Sequence, residues 1–120
     1  MKKPVMVLLL LLSGIVANAQ KEIKIEQAKD FVGDSVTICT KIFGGIINDN
    51  AMGDGTYLFA GGNYPDAPLT ILIRNENRRY FDYKPEKDLK DRNVCVTGRI
   101  ELIKDRPQMF ISKQNQIEIK

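Results

Sequence analysis

The sequence predicts an all-β domain folded as a small closed barrel of five strands, and three observations carry that expectation. Segments rich in branched apolar residues alternate with clusters of Gly, Asn, Asp and Pro along most of the chain. Gly98 falls inside the fourth such segment, "VCVTGRIELI", where a tightly curved strand gains from lacking a side chain. A long charged stretch, "NENRRYFDYKPEKDLKDRN", joins the third segment to the fourth.

The first residues stand apart from this pattern. Lys2 and Lys3 precede an unbroken apolar run from Val5 to Leu12, and Ala17-Asn18-Ala19 supplies a small-x-small cleavage site. Residues 1–19 therefore read as a cleaved signal peptide and residues 20–120 as a single domain. The run is shorter than the ~20 residues that span a bilayer, and no cysteine near the site suggests a lipid anchor. The expected product is exported, periplasmic or secreted, with no integral membrane association after cleavage. Export also changes the charge balance. The full chain has 18 Lys and Arg against 15 Asp and Glu, and losing Lys2 and Lys3 leaves 16 against 15. A near-neutral domain has no bulk electrostatic pull on nucleic acid or acidic membranes, so only a local patch would provide one.

The elements follow in order. "KEIKI" (residues 21–25) is a short lead-in strand. "IEQAKDFVG" is a helix with Ile25, Ala28 and Val32 at helical spacing and Gly33 as its stop. "SVTICTKIFGG" is the first long strand, ending in a Gly pair, and "IINDNAMGDG" is a turn-rich loop. "TYLFAGG" is the second strand, "NYPDAP" a turn, and "LTILIR" the third strand, with Leu69, Ile71 and Ile73 on one face. The charged connection is broken by Pro85, with a short helical turn expected from Pro85 to Leu89. "VCVTGRIELI" and "QMFI" are the fourth and fifth strands, and Lys104-Asp105-Arg106-Pro107 is the turn between them. Gln116 to Ile119 adds a last extended piece.

The two cysteines fit an exported chain in which thiols pair. Val36, Ile38 and Ile42 set the inward face of the first strand and leave Cys39 opposite. Val94, Val96 and Ile100 do the same for Cys95. Both thiols point away from the core and would meet if these strands were neighbours. A bridge closing so long a loop contributes roughly 4 kcal/mol on the chain-entropy model.

The order of elements resembles the OB-fold, a five-stranded Greek-key barrel. "AKDFVGDSVTICTKI", "YLFAGGNYP", "LTILI", "VCVTGRI" and "RPQMFISKQNQIEI" resemble stretches of small nucleic-acid-binding OB-fold domains of the tRNA-anticodon-binding type and their exported relatives. In such domains a helix leads into the first strand, and a V-x-V-x-G-x-I strand is followed by a K-P-Q-I-like strand and a closing Q-I. The resemblance covers most of the chain after the leader. It implies that the first and fourth strands are neighbours, so that Cys39 and Cys95 face each other on the outer surface.

Catalytic chemistry is sparse. The chain has no histidine, which removes Ser-His and Cys-His pairs, histidine bases and histidine-ligated metals. Two cysteines alone do not build a zinc site, and no phosphate-cradling glycine loop is present. Asp49 and Asp54 lack the spacing of a calcium loop and read as turn residues. No catalytic residue, metal site or cofactor is expected, and a carboxylate- or calcium-dependent nuclease is the third-ranked reading.

Binding is better supported. The OB-fold resemblance implies a ligand face on the second and third strands with the adjoining loops. If Leu58 and Ala60 face inward, Tyr57 and Phe59 form an outward stacking platform; the opposite phase puts both aromatics in the core. "NRRYFDYK" interleaves Arg78, Arg79 and Lys84 with Tyr80, Phe81 and Tyr83. It reads first as an anchored connection, Phe81 on the barrel bottom and the arginines solvated, with single-strand binding as the alternative. Arg99, Lys104 and Arg106 gather near the last hairpin. The expected function is a non-catalytic binding module for single-stranded nucleic acid or oligonucleotide, with Tyr57 and Phe59 stacking and Arg74, Lys104 and Arg106 meeting phosphates. A periplasmic interaction or stress protein that binds an envelope protein or a small ligand is the alternative.

Overall fold

The computed structural model describes residues 21–48 and 54–120; the expected signal peptide and Asp49 lie outside them. β1 (Lys21–Ile23) leads through a 3-10 turn (Ile25–Phe31) to β2 (Ser35–Asn48), β3 (Gly55–Ala60) and β4 (Leu69–Arg74). A second 3-10 turn (Asn75–Tyr80) and α1 (Pro85–Asp88) precede β5 (Asn93–Ile103) and β6 (Arg106–Phe110). A third 3-10 turn (Gln114–Gln116) and β7 (Ile117–Ile119) follow. No helix among the described residues is long and apolar enough to cross a membrane.

The structure is mostly β, in one seven-stranded sheet ordered β1-β2-β3-β4-β6-β5-β7, with β2 also paired to β5. The pairing thus runs from β2 through β3, β4, β6 and β5 and back to β2. Only β4 and β6 are parallel within that circuit. β1 and β7 add to it as short outer partners of β2 and β5.

One strand serves two neighbours because β2 bends. Residues 35–41 pair with β5 and residues 42–48 with β3, and the register slips between Ile42 and Gly44. Phe43 is the extra residue of that bulge, and a bulge sharpens local twist and re-aims a strand. The strand was expected to end at Gly44-Gly45. It continues to Asn48 instead, since the bulge and glycines turn the chain without ending the ladder. A Cβ on Gly45 would meet Leu58 at 2.9 Å and the Glu86 backbone at 3.1 Å, so its bareness lets α1 pack against the sheet.

Alternation fills the interior. Val36, Ile38, Leu58, Ile71, Val94, Val96, Ile100 and Met109 are all essentially inaccessible and share one core. Gly98 continues the inward series of β5, and a Cβ there would meet Met109 at 2.8 Å and Ile111 at 3.2 Å. The glycine is therefore a packing requirement as well as a concession to curvature.

Cys39 and Cys95 stand directly opposite in the β2–β5 register and form a disulfide. It lies on the outward side, next to a 2.7 Å hydrogen bond between the Thr37 and Thr97 hydroxyls. The staple thus spans the one pairing that returns the circuit to its start.

Two expectations need correction. The segment after β1 is a 3-10 turn, in which i, i+3 and i+6 share a face. Ala28 is buried and Ile25 and Phe31 pack on the core, whereas Val32 is 43% exposed. In the last hairpin the turn residues are Lys104 and Asp105, both at positive φ (51° and 65°). This two-residue geometry matches strand twist. Arg106 and Pro107 already belong to β6, opposite Ile103 and Leu102. Pairing with β4 begins only at Gln108, so Pro107 lies before that ladder, where a missing N–H costs nothing.

The connection after β4 seals one end, as its sequence suggests. Phe81 and Leu89 are buried in the core, and the short helix sits at Pro85–Asp88. Arg78 is a closure element. Its Nη1 donates to Glu86 Oε1 at 2.6 Å and to the hydroxyl of the fully buried Thr56. Burial pushes the Glu86 carboxyl up, but hydrogen bonds from Arg78 and the backbone, with the charges of Arg78 and Lys84, outweigh it and hold the pKa below its usual value.

A lowered folded-state pKa gives stability that is present above the unfolded value and lost as pH falls through the folded one. Glu86→Gln is therefore expected to destabilise the protein at pH 7 by about 2 kcal/mol. In urea melts that deficit should shrink as pH falls below about 4.5. A deficit that stays constant to pH 3 would contradict the pairing.

Candidate functional site

The strand registers decide what the outer face of the sheet carries. Leu58, Ile71, Met109 and Ile100 form one inward row across β3, β4, β6 and β5. The alternate residues point out. Ile46, Tyr57, Leu72, Phe110 and Arg99 make one outward row, and Gly44, Phe59, Thr70, Gln108 and Glu101 make the next. Of the two phases open for the second predicted strand, the structure has Leu58 and Ala60 inward. Tyr57 and Phe59 are thus neighbours on the outer surface.

Phe59 is only 6% exposed although it lies outside the core. Its cover is Tyr64, whose ring centroid lies 5.4 Å away at a 44° tilt and which is itself 72% exposed. The Phe59–Tyr64 pair forms a ridge between two shallow grooves. One, of about 320 Å³, runs along Tyr57, Phe59, Thr70, Gln108 and Arg106. The other, of about 310 Å³, is bounded by Phe43, Ile46, Glu86 and Lys90.

The cations divide among different tasks. Arg106 reaches the first groove, but its Nη1 donates to the Pro65 carbonyl at 2.7 Å and so holds the 63–67 loop. Arg74 lies over the Phe110 ring, 4.9 Å from its centroid, on the same face as Tyr57. Arg99 is paired with Glu101 at 3.4 Å. Lys104 is not brought to this face. It lines a separate cleft of about 490 Å³ between the first 3-10 turn, residues 66–68 and the hairpin tip. There Lys29, Lys104 and Arg106 are matched by Glu26, Asp66 and Asp105, and Lys29 pairs with Asp105 at 3.7 Å.

Sequence reasoning missed Tyr64, Leu72 and Phe110. Phe110 had a usable signal, since Met109 inward in "QMFI" puts Phe110 outward. Tyr64 had a weaker one, an aromatic in a polar turn. Among the described residues, no three carboxylates or thiols gather in a way that could hold a metal ion.

The arrangement offers aromatic side chains on the outer side of the sheet, flanked by guanidinium groups. This suits ligands with planar rings and anionic links. Because Arg106 ties down the 63–67 loop, Arg106→Ala is expected to speed exchange of the Asp66 amide, which bonds the Asn63 carbonyl within that loop. Global stability should change by less than about 0.5 kcal/mol, as for an exposed side chain. Unaltered exchange at Asp66 would show that the clamp is idle.

No family model matches the chain, and no curated protein matches it in sequence. Among solved structures it is similar to a crystal structure of a protein assigned as an aspartyl-tRNA synthetase from Leishmania major Friedlin. The TM-score is 0.54 at 11% identity, over 85% of this chain and 21% of the other. At that identity the likeness concerns the fold, and this chain spans about a fifth of the other protein's length.

Proposed function

We propose that this chain is an exported, non-catalytic OB-fold module that binds single-stranded nucleic acid on the outer face of β3, β4 and β6. The pairing circuit supports the OB reading, with its parallel β4–β6 pair and its helical elements before β2 and between β4 and β5. The observation that carries the ligand is the outward row holding Tyr57, Leu72 and Phe110 beside Phe59, with Arg74 and Arg106 at its margins. Bases stack on Tyr57 and on Tyr64, which covers the 6%-exposed Phe59 expected for that role, while the guanidinium groups meet phosphates. Lys104 falls outside this set because it lines another cleft. Likeness to a structure whose name includes tRNA is consistent with the reading.

The second reading, docking of an envelope protein, draws on Tyr64 and Ile46, which are 72% and 52% exposed beside the same grooves. A protein surface would use them as apolar anchors.

Fluorescence-anisotropy titration with a short labelled oligodeoxythymidine tests the nucleic-acid reading. Tyr57→Ala is expected to weaken binding about tenfold, the loss of one stacked base. Two phosphate contacts predict a log–log salt slope of about −1.4. No binding at low salt, or binding indifferent to Tyr57→Ala, sinks the reading, and capture of one envelope protein through Tyr64 would replace it.

A further inference from the structure

We propose that the groove between the Asn75–Tyr80 turn and the Ser112–Asn115 loop is a saccharide-binding site, separate from the outer sheet face. It encloses about 430 Å³ between Asn77, Tyr80, Ser112, Lys113, Gln114 and Asn115. That lies within the roughly 300–1,000 Å³ range of small-ligand sites.

Both walls are anchored. Phe81, directly after the turn, is buried, and its N–H donates to the Arg78 carbonyl at 3.0 Å. The facing loop is organised by Gln116, whose Oε1 accepts from the Ser112 and Lys113 amides at 2.9 Å each. Its Nε2 donates to the Thr97 carbonyl at 3.0 Å. Gln114 joins the two walls: its Oε1 accepts from the Asp82 N–H at 2.7 Å. That bond sets the orientation of the amide and leaves the Gln114 Nε2 as a donor. Among the described residues, no hydrogen bond engages the side-chain amides of Asn77 and Asn115.

The chemistry selects the ligand class. A sugar ring presents hydroxyls that both donate and accept, and carboxamides do the same. It also presents a C–H face that packs against an aromatic ring. Tyr80 is 55% exposed, and the Arg79 guanidinium, 5.2 Å from its centroid, braces it. Charge separates a sugar from a nucleic-acid strand. Lys113 is the one charged side chain among the six described residues that line the groove, and a single cation is fewer than a phosphate backbone track needs.

The purified protein is screened against immobilised neutral oligosaccharides (cello-, chito- and manno-oligomers). At least one series is expected to bind. Tyr80→Ala or Asn115→Ala, both at exposed positions, should weaken that binding about tenfold, and Tyr57→Ala should leave it unchanged. No retention at millimolar ligand, or retention indifferent to Tyr80→Ala, overturns the proposal. So does oligonucleotide binding lost with Tyr80→Ala but not with Tyr57→Ala, which would assign the groove to bases.

Discussion

The pairing of β2 with β5 closes the molecule's circuit of strands. It exists because β2 changes partner at the Phe43 bulge, giving its first half to β5 and its second to β3. With the circuit closed, the inward rows of five strands pool into one core, and no single strand has to bury its apolar face alone. The Cys39–Cys95 bridge spans this same pairing, opposite in register and on the outer side. It adds a covalent tie where separation would open the whole interior, and it takes no core volume from Ile38 or Val96.

Closure also sorts the polar groups. The residues between β4 and β5 cover one end, and Arg78 is drawn beneath it to Glu86 and Thr56. A partly buried ion pair of this kind is weak evidence for added stability, because desolvation consumes much of the Coulombic gain. Its consequence is positional: it fixes α1 against the bare backbone at Gly45 and satisfies a buried hydroxyl. The outer face of β3, β4 and β6 carries Tyr57, Phe59, Leu72 and Phe110 with the polar Thr70 and Gln108, and the cations beside it are already oriented. Arg74 lies on Phe110 and Arg106 on the Pro65 carbonyl. An oriented cation loses less freedom when it meets a ligand than a free one does.

Much of this was legible in the residues, and the exceptions have physical causes. The series Val94, Val96, Gly98, Ile100 announced its inward face because period-two alternation is local. The cysteines followed from the same alternation, and Pro85 marked α1 because proline suits a first helical turn. The first 3-10 turn was misread because a 3.6-residue period selects Val32 where a three-residue period selects Phe31. The length of β2 was hidden because a glycine pair signals a break, while a bulge lets the ladder continue. The last turn lacked Gly or Asn, so the expected turn ran on through Arg106 and Pro107, whereas Lys104 and Asp105 alone fill it. Lys104 and Arg106 are close in sequence and share the cleft at the hairpin tip, yet only Arg106 also reaches the outer-face groove. No local pattern encodes that difference. Tyr64 joins Phe59 only through the path of the 61–68 loop.

The central claim is that ring closure presents β3, β4 and β6 as a single binding face. Amide chemical-shift mapping during titration with a short single-stranded oligonucleotide tests it most directly. The account predicts shifts concentrated at Tyr57, Phe59, Thr70, Leu72, Gln108 and Phe110, with Thr37, Cys39 and Thr97 on the stapled β2–β5 face unmoved. Shifts centred on that stapled face, or none at all, would contradict it.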